Sequence, residues 1–337
     1  LHRDWRLVKT YSLSPELRAM SHVWVSPAGS VQVVAAKGAP EAVADLCHLD
    51  ATQRLRIAAV VDEFAADGLR VLAAARGTFA GQNWPASEHD FDFEFIGLLG
   101  LADPVRPEVP AAVAECRAAG IRVVMITGDY PATARAIAQQ AGLSEGDGDV
   151  LSGDEIARLN DMALRERIAT VSVCARISPE QKLRIVQALK AAGEVVAMTG
   201  DGVNDAPSLK AAHIGVAMGA RGTDVAREAA ALVLLDDDFG SIVRAVRLGR
   251  RIYDNVLKAM RFVLAVHVPI AGLALLPLLF GLPMILTPVH IAVLELLIDP
   301  ACSVVFEAEE EEADVMRRPP RDPAASLFSV GMLVGAT

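Results

Sequence analysis

Residues 262–306 are almost free of charge, and this stretch restricts the possible folds of the chain most strongly. Its first part, FVLAVHVPIAGLALLPLLF, is about one bilayer span long. Gly281, Leu282 and Pro283 interrupt the pattern, and MILTPVHIAVLELLIDPACSVVF follows as a second apolar run. Such runs must be buried in a membrane or in a protein core. Two of them in near succession favour an α-helical transmembrane hairpin over a buried hairpin in a soluble protein.

Basic side chains lie at both outer ends of this hairpin and are absent from its turn. They are Arg244, Arg247, Arg250, Arg251, Lys258 and Arg261 before it, and Arg317, Arg318 and Arg321 after it. By the positive-inside rule, both ends face the cytoplasm. We expect a multi-pass integral membrane protein in contact with lipid, with cytoplasmic catalytic domains, in a bacterial-type plasma membrane.

Charge and cysteine content exclude several other classes of protein. The net charge is −10, from 32 basic and 42 acidic residues, and a nucleic-acid-binding protein would show a basic face instead. The run FEAEEEEAD (306–314) is typical of a solvated loop. The four cysteines are far apart and form no CxxC pair, which predicts reduced thiols rather than disulfides or a zinc site.

The part before the hairpin alternates apolar strands with helical patterns. In residues 1–97 the sequence predicts a hairpin around Pro27, Ala28 and Gly29, two helices and a strand, LRVLAAARG. From FEFIGLLGLADPVRP, predicted as a buried strand, to AALVLLDD, strands and helices alternate regularly. This order is typical of an α/β fold with a parallel sheet.

Two strands of this region end in the same tripeptide. RVVMITGD delivers Thr127, Gly128 and Asp129, and EVVAMTGD delivers Thr199, Gly200 and Asp201. Ligands bind at the carboxyl edge of open parallel sheets, so these turns predict a ligand site. A single Asp-Gly turn would be ordinary turn chemistry, but two such turns and a lysine-bearing helix favour a site.

Acidic and amide side chains crowd the second turn, where Asn204 and Asp205 closely follow Asp201. Their oxygens are hard ligands that suit Mg²⁺ shared with a phosphate group. Lys182, on the helix after Ser178 and Pro179, could supply the positive charge that a phosphoryl group needs.

Ionisable residues within an apolar span are costly and usually functional. His267 lies in the first run, and Glu295 and Asp299 lie in the second at a spacing that puts them on one helix face. Pro269 frees the carbonyl of Ala265. The pattern predicts a transported-cation site from these three side chains, although a carboxylate could instead pair with a donor between the helices and merely pack.

The motifs together resemble the P-type cation-transporting ATPases, and most closely the calcium-pump-like branch. The segment TGDGVNDAPSLKAAHIGVAMG is similar to the hinge motif of that family, and KGAPE, DPVRPEV, GIRVVMITGD and ARISPEQKLRIV follow in the family's order. The resemblance covers nearly the whole chain.

This resemblance implies a haloacid-dehalogenase-like Rossmannoid phosphorylation domain, joined to part of an α+β nucleotide-binding domain and to the transmembrane hairpin. The implied ranges are 1–97 for the nucleotide-binding part, 98–240 for the phosphorylation domain, 241–261 for a basic connecting helix, 262–306 for the hairpin, 307–326 for a cytoplasmic acidic loop and 327–337 for the start of a further span.

The resemblance also implies roles for individual residues and the cofactors Mg²⁺ and ATP. Asp201 would bind Mg²⁺, Asn204 and Asp205 would support the phosphate site, Thr127 and Gly128 would hold phosphoryl oxygens, Asp129 would shape that loop, and Lys182 would neutralise the transferred group. In the nucleotide pocket, Lys37, Arg70 and Arg18 would contact ATP.

The family's phosphorylated aspartate belongs to an Asp-Lys-Thr-Gly-Thr motif that is not found among these residues. We expect it in a preceding half of the same pump, so the chain would be a fragment that is inactive alone. The predicted function is ATP-driven transport of a Ca²⁺-like divalent cation through an aspartyl-phosphate. The alternatives are a haloacid-dehalogenase-like phosphohydrolase and a non-catalytic pump fragment.

The membrane ligands depart from the calcium-pump pattern. His267 and Glu295 stand where that branch carries asparagine, Ile270 replaces a glutamate ligand and Ile298 replaces a threonine, while Asp299 is retained. The resemblance therefore implies a cation site with a changed set of ligands.

Overall fold

The computed structural model describes residues 4–14, 17–29, 31–81, 83–143 and 150–322, except for the side chains of Asp299 and Ser303. The chain divides into two compact units. The first takes the residues up to Pro110 and Val124–Val233, and the second takes Ala111–Val123 and the residues from Leu234 onward.

The elements follow in chain order. The first are β1 (Arg6–Tyr11), β2 (Ala19–Val25), β3 (Gln32–Gly38), α1 (Pro40–Leu46), α2 (Ala51–Ala66), β4 (Arg70–Phe79), β5 (Phe93–Leu101), α3 (Val109–Ala118), β6 (Met125–Ile126) and α4 (Pro131–Gln140). Then come β7 (Val150–Ser152), α5 (Gly153–Arg158), α6 (Asp161–Ile168), β8 (Val173–Ala175), α7 (Pro179–Ala191), β9 (Ala197–Gly200), α8 (Ala206–Ala211), β10 (Ile214–Met218), α9 (Asp224–Ala229), β11 (Leu232–Leu234), α10 (Phe239–Leu279) and α11 (Pro288–Ala308).

The first unit begins with a five-stranded antiparallel sheet in the order β1-β2-β3-β4-β5. The predicted hairpin around Gly29 is confirmed, with Gly29 at φ 70° in its turn. Alternating apolar residues of β2, β3 and β4, such as Val23, Val34 and Ala73, are buried with residues of α1 in one core. Strand β5 runs through the predicted domain boundary between residues 97 and 98. In its second half, the side chains of Leu99 and Leu101 are exposed. The prediction of a buried strand is wrong for that half.

The rest of the first unit contains parallel strand pairs and helices. The predicted parallel pairing is confirmed for β6 with β8, β7 with β8 and β9 with β10. The described strands form two three-stranded sheets, in the orders β6-β8-β7 and β11-β10-β9, rather than one. Strands β6 and β9 each lie at an edge of their sheet. At these edges, Thr127, Gly128 and Asp129 directly follow β6, and β9 ends with Thr199 and Gly200 just before Asp201.

Several short elements of this unit escaped the sequence prediction. Helices α5, α6 and α9 span 6 to 8 residues each, too few for a clear helical period. Their starts are nevertheless capped, because the side chains of Ser152, Asn160 and Thr223 accept hydrogen bonds from backbone N–H groups of the first turn. The predicted strand IRVVMI is a strand only at Met125–Ile126.

The second unit contains α3 and the two longest helices. Helix α10 runs unbroken for 41 residues through Pro269 and Pro277, so the predicted connecting helix and first span are one helix. Helices α10 and α11 are both long and apolar enough to cross a membrane, judged by length and composition. The turn between them contains Gly281 at φ 66°, as the hairpin prediction requires.

The acidic segment after α11 is exposed over residues 310–314, which agrees with its prediction as a solvated loop, but three of its glutamates also pair with the basic part of α10. Lys258 Nζ lies 2.7 Å from Glu309 and 2.6 Å from Glu312, and Arg247 contacts Glu311 at 2.8 Å. The basic residues that marked the membrane flank also hold this segment in place. The predicted start of a further span at 327–337 lies outside the described residues.

Candidate functional site

Asp205 is the centre of the turn that follows β9. Its side chain is buried, with 9% exposed, and Oδ1 accepts a hydrogen bond from Lys182 Nζ at 2.6 Å. The other oxygen, Oδ2, accepts from the backbone N–H of Gly202 at 3.3 Å. Gly200 leaves room for this carboxylate, because a Cβ at that position would lie 2.6 Å from Asp205 Cβ. The glycines of this turn thus allow an aspartate to fold back against its own strand.

Lys182 reaches Asp205 from the first turn of α7. Ser178 caps this helix: its Oγ accepts from the N–H of Gln181, and the Gln181 side chain accepts from the N–H of Ser178. Pro179 occupies the first turn, where its missing N–H costs nothing. The motif Ser-Pro-Glu-Gln-Lys therefore sets the helix start and, with it, the position of the ammonium group.

The loop after β6 has its own network. Thr127 Oγ1 donates to Asp129 Oδ2 at 2.8 Å, and the N–H of Asp129 donates to Thr127 Oγ1 at 3.1 Å. The backbone N–H groups of Arg176 and Ile177 donate to the carbonyls of Asp129 and Thr127, at 3.1 Å each. These bonds tie the loop to the end of β8 and leave Gly128 exposed.

Side chains from the antiparallel part of the unit reach this loop. Arg70 Nε lies 3.5 Å from Asp129 Oδ1, which joins a predicted nucleotide-binding residue to the predicted phosphate loop.

A second group of contacts surrounds Tyr130, just after this loop. Arg176 pairs with Glu41 at 2.7 Å and lies over the ring of Tyr130. The hydroxyl of Tyr130 donates to Asp62 at 3.4 Å. Burial and the neighbouring Asp62 carboxylate raise the pKa of Tyr130. These last contacts could not be predicted from the sequence, because their partners lie far apart along the chain.

Asp201 and Asn204 are exposed beside the buried Asp205. The described residues hold no group of three or more His, Cys, Asp or Glu side chains arranged for a metal ion. Mg²⁺ is usually bound through one or two carboxylates with phosphate and water oxygens completing its shell. The exposed oxygen donors of Asp201 and Asn204 therefore fit Mg²⁺ held jointly with a phosphate better than a closed metal site.

A cleft of about 270 Å³ lies on the outer face of β2 and β3. Met20 pairs with Lys37 across these strands, and His22 and Trp24 continue the same face. The rings of His22 and Trp24 meet edge to face at 6.2 Å. Arg18 is exposed just before β2, and its carbonyl accepts a hydrogen bond from the N–H of Ala39. The alternation in MSHVWV is the signal that would have added Met20, His22 and Trp24 to the predicted pocket.

In the second unit, the predicted cation-binding residues meet between α10 and α11. His267 Nε2 lies 3.0 Å from both carboxylate oxygens of Glu295. The other ring nitrogen, Nδ1, lies 2.8 Å from the carbonyl of Val263. The side chain of Asp299, the third predicted ligand, lies outside the described part of the structure.

Two family profiles match parts of the chain. The profile of haloacid dehalogenase-like hydrolases matches residues 17–213, which is more than half of the chain. The chain belongs to this family. A second profile, cation transporting ATPase, C-terminus, matches residues 283–336 of the same haloacid dehalogenase-like chain.

Several relatives of this haloacid dehalogenase-like chain are named calcium- or cation-transporting ATPases. It is 43% identical over 272 residues to a calcium-transporting ATPase of Bacillus subtilis, covering 80% of this chain and 31% of the relative. It is 42% identical over 328 residues to a probable cation-transporting ATPase F of Mycobacterium bovis, covering 92% of this chain and 36% of the relative. It is 39% identical over 307 residues to calcium-transporting ATPase 1 of Yarrowia lipolytica, covering 87% and 33%.

These matches confirm the resemblance to P-type cation-transporting ATPases of the calcium-pump-like branch and the predicted α/β fold. The chain spans about a third of the length of these relatives. The roles of the individual site residues stay predictions.

Proposed function

We propose that this chain belongs to an ATP-driven pump that moves a divalent cation across a membrane through an aspartyl-phosphate intermediate. Calcium is the cargo in the names of the Bacillus and Yarrowia relatives. The observation that carries the proposal is the buried pair of Lys182 and Asp205 at the carboxyl end of β9, 2.6 Å apart. A haloacid dehalogenase-like chain that also carries two membrane-length helices combines phosphoryl chemistry with a transport path.

Lys182 supplies positive charge where the transferred phosphoryl group would lie. Asp205 holds the ammonium by an ion pair and is itself held by the N–H of Gly202, so neither group needs to reorganise during transfer. Preorganised charges of this kind stabilise a transition state most effectively. Thr127, through its hydroxyl, and the exposed backbone of Gly128 would hold phosphoryl oxygens, and the hydrogen bonds between Thr127 and Asp129 support this role for their loop.

Mg²⁺ would be held by Asp201, with Asn204 and Asp205 supporting the site and phosphate oxygens completing the shell. When bound, it neutralises charge on the transferred group. The exposure of Asp201 supports this role, because a carboxylate that shares its ion with a substrate has to face the substrate.

ATP would bind at the cleft of β2 and β3, with Lys37 and Arg18 at its margin. The adenine base of ATP would lie against Met20, His22 and Trp24, and its phosphates would point toward Arg70. The 3.5 Å contact between Arg70 and Asp129 supports a route from this cleft to the phosphate loop.

The nucleophile is proposed to come from a preceding part of the same pump. Strands β6 and β9 both lie at an edge of their described sheets, and each has a Thr-Gly-Asp sequence at its carboxyl end. A parallel strand between them would bring its terminal aspartate beside Thr127, Lys182 and Asp201. The 337 residues contain no Asp-Lys-Thr-Gly-Thr motif, so we expect them to form no phosphoenzyme alone. A multi-pass arrangement with cytoplasmic catalytic parts, in contact with lipid, follows from the positive flanks of the hairpin.

Phosphorylation of the full-length protein with ATP labelled on its γ-phosphate tests this function. We expect a hydroxylamine-sensitive phosphoenzyme that requires Mg²⁺ and the transported cation. Asp201→Asn should lower its formation at least about tenfold, while Asp154→Asn, an exposed aspartate of α5, should leave it unchanged. Cation-independent release of phosphate from simple phosphomonoesters, with no phosphoenzyme, would instead identify a phosphohydrolase.

A further inference from the structure

His267 and Glu295 form a polar contact between the apolar parts of two helices. His267 lies on α10, Glu295 lies on α11, and both carboxylate oxygens are 3.0 Å from Nε2. Ionisable groups inside a span are expensive and are kept where they serve a ligand or a conduction path. A packing contact needs only one hydrogen bond, whereas here the imidazole nitrogen faces the carboxylate symmetrically.

The contact made by Nδ1, the second ring nitrogen, orients the ring of His267 so that Nε2 faces Glu295. Nδ1 lies 2.8 Å from the carbonyl of Val263, one turn earlier on the same helix. A carbonyl only accepts hydrogen bonds, so Nδ1 carries a proton. Nε2 then faces the Glu295 carboxylate across their 3.0 Å contact. Histidines that bind metals through Nε2 are commonly oriented in this way, by an Nδ1–H donated to a backbone carbonyl.

Backbone oxygens are available beside both side chains. Pro269 and Pro300 lie inside α10 and α11 and have no N–H to donate. The carbonyls of Ala265 and Leu296, four residues before them, therefore lack their usual helical donor. Ala265 is two residues from His267, and Leu296 is next to Glu295. Open carbonyls at such helix interruptions are the oxygen ligands that transport sites use.

We infer that His267 and Glu295 are ligands of the transported ion, and that this ion is a divalent transition-metal cation that accepts an imidazole nitrogen rather than calcium. The inference rests on the proposed pumping function and specifies its cargo. Ca²⁺ takes 6–8 oxygen ligands, whereas imidazole suits Zn²⁺, Fe²⁺, Co²⁺ and Ni²⁺. An entering cation is bound by the lone pair of Nε2 and by the carboxylate, and it displaces any proton between them to solvent.

The test compares cations and variants in the full-length pump, reconstituted in liposomes with buffered free metal. ATPase activity is measured against free Zn²⁺, Co²⁺, Mn²⁺ and Ca²⁺ for the wild type, for His267→Asn and for His290→Asn. The control residue His290 lies at the start of α11, where its side chain contacts Thr287. Co²⁺ titration of the same proteins, followed by visible absorption, reports nitrogen ligation without turnover.

We expect Zn²⁺ or Co²⁺ to half-stimulate the wild type at a concentration at least about tenfold lower than Ca²⁺. His267→Asn should raise the concentration of that transition metal needed for half-stimulation by about 10- to 100-fold and abolish the Co²⁺ absorption change, and His290→Asn should do neither. Half-stimulation of the wild type by Ca²⁺ at the lowest concentration, or an unchanged Co²⁺ spectrum in His267→Asn, would overturn the inference and leave the pump intact. Absence of stimulation by every cation would refute the proposed function itself.

Discussion

Lys182 Nζ lies 2.6 Å from Asp205 Oδ1, and both side chains are largely buried, with 19% and 9% of their surface exposed. The pair joins the first turn of α7 to the turn after β9. A buried ion pair is stabilising only if its remaining hydrogen-bonding capacity is used, and the N–H of Gly202 serves the second carboxylate oxygen. The contact thus fixes the ammonium group of Lys182, which is proposed to serve the phosphate site, to the turn after β9.

A double-mutant cycle measures this link. Lys182→Met and Asp205→Asn should each destabilise the fold, because each leaves a charge without its partner in a poorly solvated place. The double variant should be less destabilised than the sum of the two changes, with a coupling free energy of about 1–3 kcal/mol. Urea unfolding followed by circular dichroism gives the four values. Strict additivity would contradict a stabilising contact between the two side chains.

Two glycines of the same turn should differ sharply on substitution by alanine. A Cβ at Gly200 would lie 2.6 Å from Asp205 Cβ, whereas the nearest atom to a Cβ at Gly202 is 3.5 Å away. Gly200→Ala should therefore displace the aspartate and cost about 1–3 kcal/mol of stability, and it should lower phosphoenzyme formation in the full-length protein. Gly202→Ala is the matched control, since it keeps the backbone N–H that Asp205 accepts from. Equal losses in both variants would show that crowding at Asp205 is not the cause.

Local patterns predicted the parts of the site that are local in the chain. The two Thr-Gly-Asp turns follow strands as expected, and α7 begins at the predicted Ser178-Pro179. Periodicity and capping act within a few residues, so a sequence reveals them directly. Lys182 was expected to serve the phosphate site, but its pairing with Asp205 depends on how α7 packs and could not be derived from spacing.

The features that the sequence did not reveal depend on interactions between distant segments. The acidic run at 306–314 has the composition of a solvated loop, yet Lys258 and Arg247 hold three of its glutamates against α10. Charge complementarity is visible in the sequence only when both partners are known in advance. The exposed half of β5 was misjudged because an apolar strand at a sheet edge has the same composition as a buried one.

The thiol of Cys47, at the end of α1, should be unreactive near neutral pH. Burial raises its pKa from an ordinary value of 9.0 to about 11. Only the thiolate reacts with alkylating agents, so at pH 8 labelling should be roughly 100-fold slower than for the same cysteine in the urea-unfolded chain. Because the folded pKa is the higher one, the contribution of this thiol to stability is complete below the unfolded pKa and is lost as the pH rises from there through about 11.

Iodoacetamide labelling between pH 7 and 11, read on the Cys47 peptide by mass spectrometry, checks this prediction. The labelling rate should keep rising about tenfold per pH unit to nearly pH 11 in the folded protein. A plateau near pH 9 would mean that the thiol is solvated as in the unfolded chain.

Arg250 connects three segments of the second unit through carbonyl oxygens. Its Nη1 donates to the carbonyls of Val315 and Arg318 at 2.8 Å each, and its Nη2 donates to the carbonyl of Ala119 at 2.9 Å. The fork of the guanidinium group serves the end of α3 and the segment after α11 together, which a single ammonium group is poorly shaped to do. Arg250→Lys should therefore lower the free energy of unfolding by about 1.5–3 kcal/mol, the range for a hydrogen bond from a charged donor.

The matched control is Arg244→Lys on the same helix. The Arg244 side chain is 64% exposed and pairs with Asp236 and Asp238, so this substitution should lower the free energy of unfolding by less than about 1 kcal/mol. Thermal unfolding of the two variants side by side decides the case: similar shifts would mean that Arg250 acts only through its charge, whereas a large shift confined to Arg250→Lys would show that the three carbonyl contacts hold the segment after α11 against α10.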